Sequence, residues 1–101
     1  NVVTGVRVVN NKSNAKHEIS CTGAFIAIGH TPNTKVFEPW LDMDETGYIV
    51  NNPGSSKTNI EGGFVSGDAA DHVYRQAVTA AGTGCMAALD AERYLAAKGL
   101  H

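Results

Sequence analysis

The stretch that most constrains this chain is "RQAVTAAGTGCMAALDAERYLAAK", Arg75 to Lys98. Ala77, Ala81, Cys85, Ala88, Leu89 and Leu95 recur at three- and four-residue spacing, which predicts one long C-terminal helix with a single apolar stripe. Gly99, just past Lys98, supplies a stop. Gly82 and Gly84 lie inside that helix, where each costs about 1 kcal/mol relative to alanine. Followed by Cys85, Ala87 and Ala88, they imply that another backbone packs very closely on this face. No other segment of the 101 residues is an obvious partner for it, so the expected partner lies upstream of Asn1. The chain opens on Asn1-Val2-Val3, with no initiator methionine, signal peptide or charged leader, which fits a piece of a longer chain.

The remainder reads as short β elements joined by polar turns. Val2 to Val9 and Lys16 to Cys21 are β-branched or alternating, with the turn-prone "NNKSNA" between them, which predicts a β-hairpin. "AFIAIG", Ala24 to Gly29, is a continuous apolar run closed by glycine, the pattern of a fully buried strand. Pro32 biases Thr31 away from helix, so His30 to Thr34 is a turn. A brief helical turn is expected over Val36 to Leu41. Asp42 to Gly63 is mostly loop with a short strand at Tyr48 to Val50, and Phe64 to Ser66 is a second short buried strand ending at Gly67-Asp68.

In open α/β sheets ligands collect at the carboxyl ends of strands. Asp68 stands at such an end, where its carboxylate can accept hydrogen bonds from ligand hydroxyls while Gly67 lets the backbone approach closely. Capping of a turn or of the next helix is an equally open role for Asp68. A helix starting near Arg75 would present the N–H groups of Gln76 and Ala77 to an electronegative ligand, with Arg75 adding charge beside them. A solvated terminus with Arg75 exposed is the plainer reading of those residues alone.

Composition excludes more than it suggests. No apolar run approaches the ~20 residues of a membrane span, and a formal charge of −2 with scattered basic residues gives no reason to expect nucleic acid. Cys21 and Cys85 form no Cys-x-x-Cys, and both are expected to be buried thiols in a reducing compartment such as the cytoplasm. His17, His30, His72 and His101 have no metal-ligand spacing, so no metal site is expected. Phe37 and Trp40 are expected to pack the connecting loop.

Two stretches carry a resemblance: "GAFIAIGHTPNT", Gly23 to Thr34, and "TNIEGGFVSGDAADHVYRQAVTAAGTGCMAALDAERYL", Thr58 to Leu95. Together they resemble the C-terminal part of bacterial-type, low-molecular-weight thioredoxin reductases, flavoproteins with two dinucleotide-binding domains. The first motif recurs across such flavoproteins; the second is far narrower. The resemblance implies an α/β fold in which residues 1–29 end an NADPH domain and residues 30–101 form the returning half of an FAD domain. It implies FAD contacts at Gly67 and Asp68, with Asp68 on the ribityl chain. Arg75, Gln76, Ala77 and Val78 would lie along the flavin's pyrimidine edge, where helix-terminal N–H groups favour the negative charge of a reduced flavin. Ile28 and Tyr48 match positions that contact NADPH. Thioredoxin as partner, a homodimer and a cytoplasmic location follow from the same resemblance.

The G-x-G-x-x-G loops and the redox Cys-x-x-Cys of that family are not in this chain, and Cys85 belongs to the glycine-cysteine helix motif. The expectation is therefore a fragment, inactive alone, of an enzyme passing electrons from NADPH through FAD and a disulfide to thioredoxin. Two rivals remain open. One is another disulfide-reductase-like flavoprotein, such as the flavoprotein component of alkyl hydroperoxide reductase or a ferredoxin–NADP reductase. The other is a non-catalytic module that folds and acts alone.

Overall fold

The computed structural model describes residues 1–100 and has an α/β architecture. Strands β1 (Gly5–Val9) and β2 (Lys16–Ser20) pair antiparallel with Gly5 opposite Ser20 and Val9 opposite Lys16. The turn closes because Asn10 Oδ1 accepts the N–H groups of Lys12 and Ser13 at 2.8 and 3.1 Å, and Asn14 takes a left-handed φ of 56°. Arg7 and Glu18 face each other across the ladder and pair at 2.6 Å; both are solvated, so the pair specifies register more than it adds stability. The hairpin expected from the sequence is present. It is shorter at its start, because beyond the Cys21 N–H to Thr4 carbonyl bond the first strand has nothing opposite it.

Residues 24–29 overturn an expectation. The run predicted to be a buried strand pairs with no strand among the described residues, and Phe25, Ile26 and Ile28 are 103%, 82% and 93% exposed. An extended apolar segment becomes a buried strand only where neighbours take its backbone hydrogen bonds and cover its side chains.

The body of the chain is a set of turns laid against the helix α1 (Ala77–Ala97). A 3₁₀ turn at Lys35–Phe37 stands where a helical turn was expected. The two short strands predicted at Tyr48 to Val50 and Phe64 to Ser66 are reduced to single bridges, Met43 with Ile49 and Lys57 with Phe64. Their side chains nevertheless form the small core: Tyr48, Ile49 and Val65 are buried. Ser56, only 2% exposed, donates its hydroxyl to Asp90 Oδ2 at 2.7 Å and ties these turns to the helix. That contact is the first cause holding the Asp90 carboxyl below its ordinary value.

The helix ends as the sequence requires. Gly99 has φ 72°, its N–H donates to the Ala96 carbonyl, and the Leu100 N–H donates to the Leu95 carbonyl, a Schellman closure. Its apolar stripe is uncovered: Ala77, Ala81, Cys85, Ala88, Leu89 and Leu95 are all exposed, and a side chain added at Gly82 or Gly84 would meet open space. Cys85 is thus exposed and Cys21 half-buried, correcting the expectation of two buried thiols. Phe37 and Trp40 are likewise 48% and 65% exposed, so their side chains do not pack the connecting loop as expected.

The surface quantifies this. The chain exposes 8249 Å², against about 5,500 Å² for a compact monomer of its mass. Its radius of gyration is 20.5 Å, where a compact chain of this length has about 13 Å. Within this open frame one turn is tightly packed. Gly62 has φ 78° and a Cβ there would lie 2.9 Å from the Tyr94 ring, which is held by Phe64 at 6.1 Å and by Lys98 at 5.5 Å. Gly54 has a similar φ of 71° but open space around it. Gly62→Ala is expected to lower stability by about 1–3 kcal/mol, and by more than Gly54→Ala. Urea unfolding of the two variants side by side separates the clash from the backbone strain they share.

Candidate functional site

The site grows from the turn after Val65. Gly67 takes φ 66°, which glycine adopts without strain, and Gly67–Ala69 coil into a 3₁₀ turn. The Gly67 N–H donates to Thr83 Oγ1 at 3.0 Å, and the Ile49 N–H donates to the Ala69 carbonyl at 2.8 Å. The turn is thereby fixed on one side to α1 and on the other to the Tyr48-Ile49 segment. Asp68 sits at its apex with its side chain exposed.

A second loop brings Arg75 to the same place. Asp71 Oδ1 accepts the N–H groups of Val73 and Tyr74 at 3.0 and 2.9 Å, and Oδ2 accepts the Arg75 N–H at 3.0 Å. Arg75 has φ 51°, a conformation few residues with a long side chain adopt. It therefore lies outside the helix, whose first residue is Ala77; the expected start at Arg75 is two residues too early because this backbone cannot continue into a helical turn. Gln76 is extended, and its N–H donates to Thr79 Oγ1 at 3.2 Å.

Asp68, Arg75 and Tyr48 line one cleft of about 310 Å³, closed by Phe37 and by the His30 to Asn33 turn. Arg75 Nη1 lies 3.5 Å from the Tyr48 hydroxyl, and the His72 ring tilts against Tyr48 at 5.6 Å between centroids. Tyr48 is held from behind by Asp44: its N–H donates to Asp44 Oδ1 at 3.0 Å, the leading cause that holds the Asp44 carboxyl below its usual range. Thr34, buried, donates its hydroxyl to the Gly47 carbonyl and secures the cleft's floor.

Of the residues singled out by sequence, the structure therefore brings together Asp68, Arg75 and Tyr48, with Gly67 directly behind. Gln76, Ala77 and Val78 open the helix beside them and are exposed. Ile28 lies in the uncovered apolar run and does not line this cleft. Sequence reasoning missed Asp71 and Thr83, which orient the two loops; the two available signals were an Asp just ahead of a helix start and a Thr between two glycines. A larger groove of about 450 Å³ lies between Phe64 and Tyr94, but its acids are engaged, Asp90 by Ser56 and Glu61 by Lys98, and it reads as a packing seam.

The chain belongs to the pyridine nucleotide-disulphide oxidoreductase family, whose family model matches residues 1–84. Within it, the chain is 55% identical over 93 residues to a thioredoxin reductase of Rickettsia bellii, covering 92% of this chain and 30% of the relative. It is 56% identical over 97 residues to a thioredoxin reductase of Coxiella burnetii, covering 92% and 30%. Among solved structures it superposes on the thioredoxin reductase of Giardia duodenalis with a TM-score of 0.72 at 42% identity, covering 94% of this chain and 31% of that one. On T. acidophilum thioredoxin reductase the TM-score is 0.77 at 30% identity, covering 93% and 30%. The chain thus spans about 30% of the length of the relatives it matches.

The Asp71 loop makes a pH prediction. The N–H of Tyr74, then that of Arg75, holds the Asp71 carboxyl below its ordinary value. A lowered folded-state value means the contribution is complete above the unfolded value of about 4 and fades as pH falls through the lower folded one. The stability gap between the wild type and Asp71→Asn is therefore expected to be constant near neutrality and to shrink below about pH 4. Denaturant unfolding of both proteins across that range checks it.

Proposed function

We propose that the chain is the C-terminal part of a thioredoxin reductase, with residues 1–29 ending the NADPH-binding domain and residues 30–101 forming the returning half of the FAD-binding domain. The observation that carries this reading is the convergence of Asp68, Tyr48 and Arg75 on one cleft next to an uncovered, glycine-bearing helix face. The relatives supply the rest: they are named thioredoxin reductases and are about three times as long.

The donor set suits FAD. Asp68 offers a carboxylate, which accepts hydrogen bonds from the hydroxyls of a ribityl chain. Arg75 offers a guanidinium, and Ala77 and Val78 open a helix whose first amides have no intrahelical partner, while the Gln76 N–H just before them is taken by Thr79 Oγ1. Both favour an electronegative ring edge. Tyr48, buried, meets Arg75 Nη1 at 3.5 Å and, with Ile28, remains the candidate for NADPH contact. FAD, when bound, supplies the hydride and electron chemistry, so these residues need only bind, orient and bias charge.

In the whole enzyme, electrons would pass from NADPH to a disulfide and on to thioredoxin. The Cys-x-x-Cys for that step is not in these 101 residues, so the chain alone is expected to be inactive. The excess exposed surface supports an intramolecular partner, an upstream segment that covers the Phe25 to Ile28 run and the Gly82–Cys85 face. A cytoplasmic homodimer is the setting this reading carries with it.

The test uses the full-length protein. Asp68→Ala is expected to weaken FAD binding by roughly tenfold to a hundredfold, the worth of charged hydrogen bonds, while far-UV circular dichroism stays unchanged. Wild-type FAD affinity in that variant would remove Asp68 from the site.

A further inference from the structure

Asp71 looks at first like a helix cap, but its hydrogen bonds say otherwise. A cap binds amides of the first helical turn. All three amides on Asp71 belong to Val73, Tyr74 and Arg75, which precede the helix at Ala77; its contact with the helix itself is a longer one, from the Thr79 hydroxyl to Oδ2 at 3.4 Å. The Gln76 amide, immediately before the helix, goes to Thr79 instead. What the Asp71 carboxylate organises is the loop itself, ending in the left-handed backbone of Arg75.

That backbone has a consequence inside the cleft. It turns the Arg75 guanidinium to within 3.5 Å of the Tyr48 hydroxyl, on the wall shared with Asp68, while the same loop sets His72 against the Tyr48 ring. Were Arg75 to relax to negative φ, its side chain would leave from a different direction and the cleft would lose its guanidinium.

We propose that Asp71 is a positioning residue: it holds Arg75 in the conformation from which the guanidinium faces the bound cofactor. The inference deepens the flavin reading and rests on it. Asp71 contributes nothing by direct contact; it acts through Arg75. A guanidinium held at the ring's polar edge favours the more negatively charged, reduced form of the cofactor, so loosening it lowers the reduction potential and leaves retention, assigned to Asp68, largely intact.

Asp71→Asn dissects the contact. Asparagine keeps one oxygen for Val73 and Tyr74 but turns an NH₂ toward the Arg75 amide. In the full-length flavoprotein, the midpoint potential of bound FAD and its dissociation constant would be measured for the wild type, Asp71→Asn, Arg75→Ala and the double variant. Asp71→Asn and Arg75→Ala are each expected to lower the potential, by about tenfold in the oxidised-to-reduced affinity ratio, or about 30 mV for two electrons. The double variant is expected to sit no lower than Arg75→Ala alone, since the two act through one group. A wild-type potential in Asp71→Asn when Arg75→Ala is shifted overturns the proposal, as do additive shifts in the double variant. An unshifted Arg75→Ala overturns it together with the assignment of Arg75, while Asp68→Ala reports separately on the flavin site. Should Asp71→Asn lose FAD, Asp71→Ser, which keeps one acceptor, is read the same way; loss of FAD in both makes the role purely structural and overturns the proposal.

Discussion

The hydrogen bond from the Gly67 amide to the Thr83 hydroxyl is the contact on which the rest of the site depends. It docks the turn that carries Asp68 onto the one long helix of the chain. The Ile49 to Ala69 bond then hangs the Tyr48 segment from the same turn. Thr83 takes the turn on the flank of the helix that also carries Ala80, and its hydroxyl bonds back to the Thr79 carbonyl at 3.0 Å. A small polar residue thus does what a large core cannot do in a chain with so few buried side chains.

This arrangement separates two kinds of stability. The body around Tyr48, Ile49, Val65 and Ser56 is held mainly by hydrogen bonds between turns and helix, each worth about 1 kcal/mol net. The apolar run at residues 24–29 and the helix stripe contribute little as they stand, because burial stabilises only surface that is removed from water. A fold that leaves Phe25, Ile26, Ile28 and the helix stripe uncovered has reason to associate. Around Gly82 and Gly84 the helix surface is open.

Much of this was legible in the sequence, and the failures are instructive. The hairpin was readable because alternation and an Asn-rich turn are local signals, and the helix because its period and its Gly99 stop are local too. The uncovered face was readable from the cost of Gly82 and Gly84. The buried strands were not, because burial depends on neighbours a short apolar run does not specify: Ala24 to Gly29 is exposed, and the other two are single bridges. Arg75 and Asp68 were singled out by their positions along the chain, but the cleft they share was not legible there. Their convergence depends on the φ 51° at Arg75 and on the Asp71 and Thr83 contacts, none of which leaves a periodic trace.

The central claim is that this chain carries one wall of a flavin site whose other wall lies on a different segment of the same protein. It is tested most directly by absorbance spectroscopy and sedimentation of the 101-residue chain, alone and co-expressed with the upstream portion of its parent protein. The account predicts a colourless, self-associating chain alone and a yellow, stoichiometric FAD complex when the two portions are joined. A cooperatively folding, colourless monomer that neither binds the upstream portion nor gains flavin in its presence would contradict it.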